Sequence, residues 1–303
     1  VDRGRVGLLV NPTAGRGAGR AAGRRALGAL RQLGHPVVDL TGADLADARA
    51  RLAAEVHDLE AVVVVGGDGL VHAAVEAVAG TGTALGIVPA GTGNDIARGL
   101  DLELGDPALA VQRVSTALRE DRARTVDAVR VRTAEGDGWF VSILASGVDA
   151  LINERANAWR WPSGPSRYTL AAVAELARVR SIALRVVLDG ERVLDVDALL
   201  VAVANTRSYG GGLQMAPHAD PADGLLDVVV VDRLPAHRAL TVFPRVRSGR
   251  HLDHPAVHVH RARTVRLELR EGSAAPRPHA DGEPTGRLPV TCEVVPGALR
   301  VLA

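Results

Sequence analysis

Lysine is absent from this chain of 303 residues, so every one of its 36 basic side chains is an arginine. That absence removes the lysine of a Walker-type phosphate loop. Cysteine is nearly missing too: Cys292 stands alone, which excludes an intramolecular disulfide and any Cys-x-x-Cys metal or redox site, and fits a reducing compartment. Aromatics make up only 2%, and no apolar run approaches the roughly 20 residues that span a bilayer. The longest uninterrupted runs, such as Ala198–Ala204, have strand length. Charge of one sign is not in excess, with 36 basic against 35 acidic residues, so nothing pulls the molecule toward nucleic acid. The N-terminus passes from Val1-Asp2-Arg3-Gly4-Arg5 straight into a short strand with no signal-peptide pattern. The expectation is a cytoplasmic protein whose contact with a membrane, if it has one, is peripheral.

What the chain does have is glycine at strand ends. Ala61–Val65 runs into Gly66-Gly67-Asp68-Gly69, and Leu85–Pro89 runs into Ala90-Gly91-Thr92-Gly93-Asn94-Asp95. A third turn, Asn11-Pro12-Thr13-Ala14-Gly15, follows the strand Val6–Val10. Glycine permits sharp turns and lets a ligand approach main-chain N–H groups with no Cβ in the way. Such loops suit phosphate, and the accompanying carboxylates suit Mg²⁺, a hard ion that prefers oxygen.

The spacing of apolar residues predicts helices over 19–33, 44–55 and 70–79, the second starting near Thr41 or Asp44, and another helix beginning near Asn94. Strands at 6–10, 37–40, 61–65 and 85–89 alternate with them, which describes a parallel sheet with crossover helices. In open sheets of this kind ligands bind beyond the carboxyl ends of the strands, where the three turns lie. From about Thr125 the pattern changes to short strands at 127–132, 139–144, 182–188, 193–197, 199–204, 226–231 and 264–269, with one helical insertion over 166–179. The expected fold is an open α/β domain over 1–125 and a β-sandwich over 126–289. The final residues, 290–303, can return to the first domain.

Asp68 is the leading carboxylate for a metal, with Asp95 and Asp127 placed to support it. As local features, Asp95 is equally a first-turn helix acid and Asp127 a strand-end residue. In the second half, His279-Ala280-Asp281-Gly282-Glu283-Pro284 sets two carboxylates either side of a glycine, suited to orienting and deprotonating a hydroxyl, or to making an ordinary hairpin turn. The segment from Asp220 to Asp227 can wrap a hard cation with the Asp223 carboxylate and backbone carbonyls, or simply lead into a strand. His251, His254, His258 and His260 lie among arginines and β-formers without zinc-site spacing. Trp159 and Trp161 suit core packing or a place beside lipid.

Taken in order, these segments resemble the bacterial diacylglycerol kinase catalytic-domain family, the lipid kinases related to sphingosine and ceramide kinases. The likeness also takes in Gly147-Val148-Asp149-Ala150 and Asn205 through Gly210-Gly211-Gly212. It implies a kinase that uses ATP and Mg²⁺ to phosphorylate the hydroxyl of a diacylglycerol-like or sphingoid lipid. ATP would lie in the cleft between the domains, with Asn11, Pro12, Thr13, Ala14, Gly15, Thr41, Gly66, Gly67, Asp68, Gly69, Leu70, His72, Thr92 and Asn94 around it. Glu283 matches the proton acceptor, with Asp281 beside it. Asp68, Asp95 and Asp127 match the network supporting catalytic Mg²⁺, while the Asp220 carbonyl, Asp223 side chain and Leu225 carbonyl match a second, structural Mg²⁺ site. Leu70 and His72 follow sphingosine kinases more than the usual bacterial pattern, and Ala73 replaces an acid found in both. The resemblance is compatible with a homodimer. A NAD kinase shares Gly-Gly-Asp-Gly, and a nucleotide- or lipid-binding protein without turnover is the third reading.

Overall fold

The structure is a computed structural model that describes residues 4–159, 165–176, 178 and 181–303; Trp161 and the expected helix end at Val179 lie outside the described residues. The chain divides into two compact units, Val1–Ala128 with Pro296–Ala303, and Val129–Val295.

In the first unit, β1 (Val6–Val10), α1 (Ala18–Gln32), β2 (Val37–Asp39), α2 (Leu45–Glu55), β3 (Ala61–Gly66), α3 (Asp68–Val78), β4 (Ala84–Pro89), α4 (Asp95–Gly99) and α5 (Pro107–Arg119) lead into β5 (Arg124–Thr133). The strands pair in parallel in the order β2-β1-β3-β4. β3 is buried at all six positions, as expected of a central strand covered on both faces, and its valine run is what that environment selects. On one face, Ala22, Ala26 and Leu30 of α1 and Val111, Val114 and Leu118 of α5 close over Val6, Leu8, Val63 and Val65. Helix α2 starts where Asp44 accepts a hydrogen bond from the Asp47 amide. Helix α5, absent from the sequence reading, starts from the same kind of cap: Asp106 accepts from Ala108 and Leu109, and Pro107 opens the first turn.

The second unit contains β6 (Gly136–Phe140), β7 (Ile143–Gly147), α6 (Val148–Ala158), α7 (Pro165–Leu176), β8 (Ile182–Leu188), β9 (Arg192–Ala204), β10 (Leu226–Asp232), α8 (Ala236–Val242), β11 (Val257–Ala262), β12 (Thr264–Leu269), β13 (His279–Ala280) and β14 (Glu283–Pro284). The last strand, β15 (Val290–Leu302), pairs antiparallel with β12 through Val290–Glu293. Its final residues, Arg300–Leu302, belong to the first unit, where they add a parallel strand beside β4. Strands β7, β9 and β10 are apolar on both faces. Leu144, Val201, Val203 and Val228 join a sandwich core, while Ala145, Ala202, Ala204 and Val229 pack with α6, α7 and α8. The fold is therefore an open parallel α/β unit together with a β-sandwich-like unit.

Two stretches are divided into strands differently from the sequence reading. Residues 193–197 and 199–204 form one strand, β9, whose first part is half exposed and whose last seven residues are buried. Residues 139–144, expected as one strand, are broken between β6 and β7 at Val141-Ser142, where the main chain bonds outside the sheet.

Candidate active site

At the ends of β1, β3 and β4 the three turns meet. The Asn11 amide donates to the Val65 carbonyl at 2.8 Å, and the Ala90 amide to the Gly66 carbonyl at 2.8 Å. Asn11 Oδ1 accepts from both the amide and the hydroxyl of Thr13, at 3.0 and 2.8 Å, which holds the Asn11–Gly15 turn in shape. Gly15 has φ +55° and sits so near Ala90 that a Cβ would fall 2.6 Å from its carbonyl oxygen. The Thr41 hydroxyl accepts from the Val10 amide at 3.1 Å, tying the end of β2 to the same strand end.

Gly67 and Gly91 touch backbone to backbone: a Cβ on Gly91 would lie 2.5 Å from the Gly67 Cα. Asn94 closes the second loop with φ +53°, accepting from the Gly91 amide at 2.9 Å and donating to its carbonyl at 3.1 Å. Asp68 and Asp95 then converge. A Cβ on Gly93 would meet Asp68 Oδ2 at 2.8 Å and Asp95 Oδ2 at 3.4 Å, so the missing side chain leaves a cradle rimmed by two carboxylate oxygens. The other oxygen of Asp68 accepts from the Ile96 amide at 3.1 Å, which fixes its orientation. Arg98, which the sequence reading missed, donates to the Gly93 carbonyl at 3.1 Å and lies 3.6 Å from Asp95. Its place three residues after Asp95 on α4 is the signal that could have found it. These carboxylate oxygens are donors of the kind a hard divalent ion takes; such an ion would share Asp95 with the Arg98 guanidinium and would draw its remaining ligands from water and phosphate oxygens.

The other residues around the loops take varied positions. Gly69, Leu70 and His72 lie on the first turns of α3; Thr92 is exposed, and His72 is buried with Nε2 3.7 Å from Glu76. Pro12 and Ala14 belong to the first turn. Asp127 is buried, and one of its oxygens accepts from the Gly297 amide at 2.9 Å, a task in holding the fold.

In the second unit, Asp281 and Gly282 make the tight turn between β13 and β14, with φ +53° and +87°. Both Asp281 oxygens accept main-chain bonds, Oδ1 from Ser142 at 2.8 Å and Oδ2 from Val141 at 3.1 Å. Glu283 pairs across this hairpin with Ala280. Burial pushes the neighbouring His279 imidazole below its usual range; its bond to the Arg277 carbonyl and the charges of Glu154 and Glu283 pull the other way.

The residues expected to hold a second Mg²⁺ are engaged differently. Asp223 accepts from the Leu225 amide at 3.0 Å through one oxygen and pairs with Arg261 through the other. Asp220 accepts from the Ala222 amide at 3.1 Å, and its carbonyl faces the Asp223 amide. Arg261 also lies 3.4 Å from Asp227, so its guanidinium stands beside both carboxylates of this turn. A Mg²⁺ ion taking the Asp223 carboxylate would compete with that arginine for one of its oxygens.

Two family models cover almost the whole chain: the diacylglycerol kinase catalytic domain over residues 5–131, and the YegS C-terminal NAD kinase beta sandwich-like domain over 142–303. A diacylglycerol kinase of Mycobacterium tuberculosis (strain ATCC 25618 / H37Rv) is 41% identical over 301 residues, covering 99% of this chain and 95% of the relative. The chain belongs to the diacylglycerol kinase/YegS-like lipid kinase family. A "probable lipid kinase YegS-like" of Stenotrophomonas maltophilia (strain K279a) is 30% identical over 81% of this chain and 79% of its own. Among solved structures, a diacylglycerol kinase from Bacillus anthracis strain Sterne aligns with a TM-score of 0.72 at 18% identity, covering 100% of this chain and 97% of that one. A second crystal structure from that strain aligns with a TM-score of 0.80 at 21% identity. At these identities the structures speak for the lipid kinase family's fold alone.

Proposed function

We propose that this chain is an ATP-dependent lipid kinase that moves the γ-phosphoryl group of ATP to the hydroxyl of a diacylglycerol-like or sphingoid lipid. The observation that carries the reading is the Gly93 cradle, where Asp68 and Asp95 present oxygens between two glycine loops in backbone contact. The Asn11–Gly15, Gly66–Gly69 and Gly91–Asn94 turns offer main-chain amides to phosphate oxygens, and no lysine is available to share that role. Thr41, Leu70, His72 and Thr92 complete the nucleotide's surroundings. Asp68 and Asp95 would hold Mg²⁺, which when bound supplies positive charge against the nucleotide phosphates.

Glu283 acts as general base. As the acceptor hydroxyl attacks the γ-phosphorus, its proton passes to the Glu283 carboxylate, the new O–P bond forms, and the bond to the β,γ-bridging oxygen breaks to release ADP. No described helix is long and apolar enough to cross a membrane; in this reading the lipid is met at a bilayer surface because that is where a lipid hydroxyl is presented. Incubation of the purified protein with labelled ATP, Mg²⁺ and micelles of diacylglycerol or sphingosine, alongside NAD, tests it. Labelled phospholipid is the expected product. Phosphorylated NAD with unlabelled lipids would make the chain a NAD kinase, and nucleotide binding without transfer to any lipid would end the kinase reading.

A further inference from the structure

The hairpin that carries Glu283 has little sheet to hold it. Strand β13 contributes two residues to the ladder, His279 opposite Ala145 and Ala280 opposite Leu144, and β14 is equally short. Beyond Ala280 the Asp281 amide donates to the Ile143 carbonyl at 3.1 Å, and the chain then turns away from β7 in the left-handed region. The Asp281 side chain continues where the ladder stops, since its two oxygens take the next two amides, Ser142 at 2.8 Å and Val141 at 3.1 Å.

Those two residues are held from the other side as well. Asn205 donates its side-chain amide to the Val141 carbonyl at 2.8 Å and its main-chain amide to the Ser142 carbonyl at 2.9 Å. The Thr206 amide reaches the same Ser142 carbonyl at 3.3 Å, and its hydroxyl meets the Ser142 hydroxyl at 3.2 Å. Val141-Ser142 is thus a fixed post, buried and bonded on both edges, and Asp281 clamps the hairpin to it.

We infer that Asp281 is a positioning residue: its carboxylate latches the turn to the Val141 and Ser142 amides and so sets the direction of Glu283. This rests on Glu283 being the base of the proposed reaction. Hydrogen bonds that amide N–H groups donate to a carboxylate are among the stronger ones in proteins, and the lone pairs that accept them are not aimed at an acceptor hydroxyl. Misplacement of a reacting group by about 1 Å can cost on the order of 100-fold in rate.

The test compares Asp281→Asn, Asp281→Ala and Glu283→Gln. Asparagine tolerates the left-handed turn, so Asp281→Asn keeps the local conformation while offering only one acceptor to two N–H groups. Two readouts are taken: amide hydrogen exchange at Val141 and Ser142, and the pH profile of lipid phosphorylation. Both Asp281 variants should exchange those amides faster, whereas Glu283→Gln should leave them protected. In turnover, Asp281→Asn should lose about 100-fold in kcat, with KM for ATP unchanged and the acidic limb of the profile kept; Glu283→Gln should abolish that limb. Unchanged amide protection in the Asp281 variants overturns the latch. Loss of the acidic limb in Asp281→Asn but not in Glu283→Gln makes Asp281 the base and overturns the assignment. If the wild-type protein phosphorylates no lipid, the proposed function fails by itself, and the exchange measurement still decides the latch.

Discussion

Gly67 and Gly91 belong to turns on two different strands, and their backbones are in contact at the point where the loops cross. A methyl on Gly91 would sit 2.5 Å from the Gly67 Cα, which is backbone, and 2.9 Å from Asn94 Oδ1, a side-chain oxygen held by its bonds to Gly91. Gly91→Ala should therefore force the loops apart, lowering stability by about 1–3 kcal/mol and raising KM for ATP. Gly28→Ala is the matched control. Position 28 lies within α1 with nothing within 4 Å of the added methyl, so thermal unfolding should show no loss, or a gain of up to about 1 kcal/mol. Equal behaviour of the two variants would remove the argument that loop contact requires glycine.

Asp68 divides its work between its two oxygens. Oδ1 holds the Ile96 amide and Oδ2 faces the Gly93 cradle, so Asp68→Asn can keep the first contact while losing an anionic ligand at the second. The expected result is a fall in kcat of at least about 100-fold with a higher Mg²⁺ requirement, and a melting temperature close to wild type. A large loss of stability with unaltered Mg²⁺ dependence would mean that Asp68 serves the fold instead.

Asp149, in the first turn of α6, is buried, and burial raises its carboxyl to about 6 even though the Tyr209 hydroxyl donates to it at 2.7 Å. A folded value above the unfolded one means that the stabilising contribution is complete below about pH 4 and is lost as pH rises through about 6. Above that, the native protein carries an ionised buried carboxylate. Asp149→Asn keeps an acceptor for Tyr209 and removes the charge. It should match wild type near pH 4 and be more stable above pH 6, by up to about 3 kcal/mol. Melting curves across this range check it, and a difference that does not vary with pH would contradict it.

The Asp223 turn makes a sharp prediction about metal. Because Arg261 already lies between Asp223 and Asp227, Asp223→Ala should lower the melting temperature equally in Mg²⁺ and in EDTA, through loss of the Leu225 and Arg261 contacts worth about 1–2 kcal/mol together. A Mg²⁺-dependent rise in the wild-type melting temperature that disappears in Asp223→Ala would show that an ion displaces the arginine.

Strand–turn–helix alternation and the positions of Gly66, Gly67 and Asp68 were legible in the sequence because both are local. Valine runs bury on two faces wherever they occur, and a glycine at a strand end signals a turn whatever lies opposite it. The order of the motifs was equally readable and pointed to the family to which the chain belongs. Helix α5 was missed although Asp106-Pro107 announces it and its buried positions, Ala110, Val111, Val114, Ala117 and Leu118, recur at helical spacing. The break at Val141-Ser142 was not readable at all. Nothing in residues 139–144 opposes one continuous strand, and the reason it ends is a carboxylate that lies 139 residues further along the chain from Ser142.

The sequence by itself determined which side chains are available: a lone cysteine, no lysine, three glycine turns, and the carboxylates of Asp68, Asp95, Asp281 and Glu283. Only the tertiary structure decided what each carboxylate does. Asp68 and Asp95 share a cradle because Gly93 has no Cβ, Asp281 is turned onto two amides, and Asp223 meets an arginine. An aspartate carries the same charge and two oxygens in every turn. Whether it meets a metal ion, a substrate proton or an N–H group depends on which distant backbone the fold brings to it, and local sequence does not encode that.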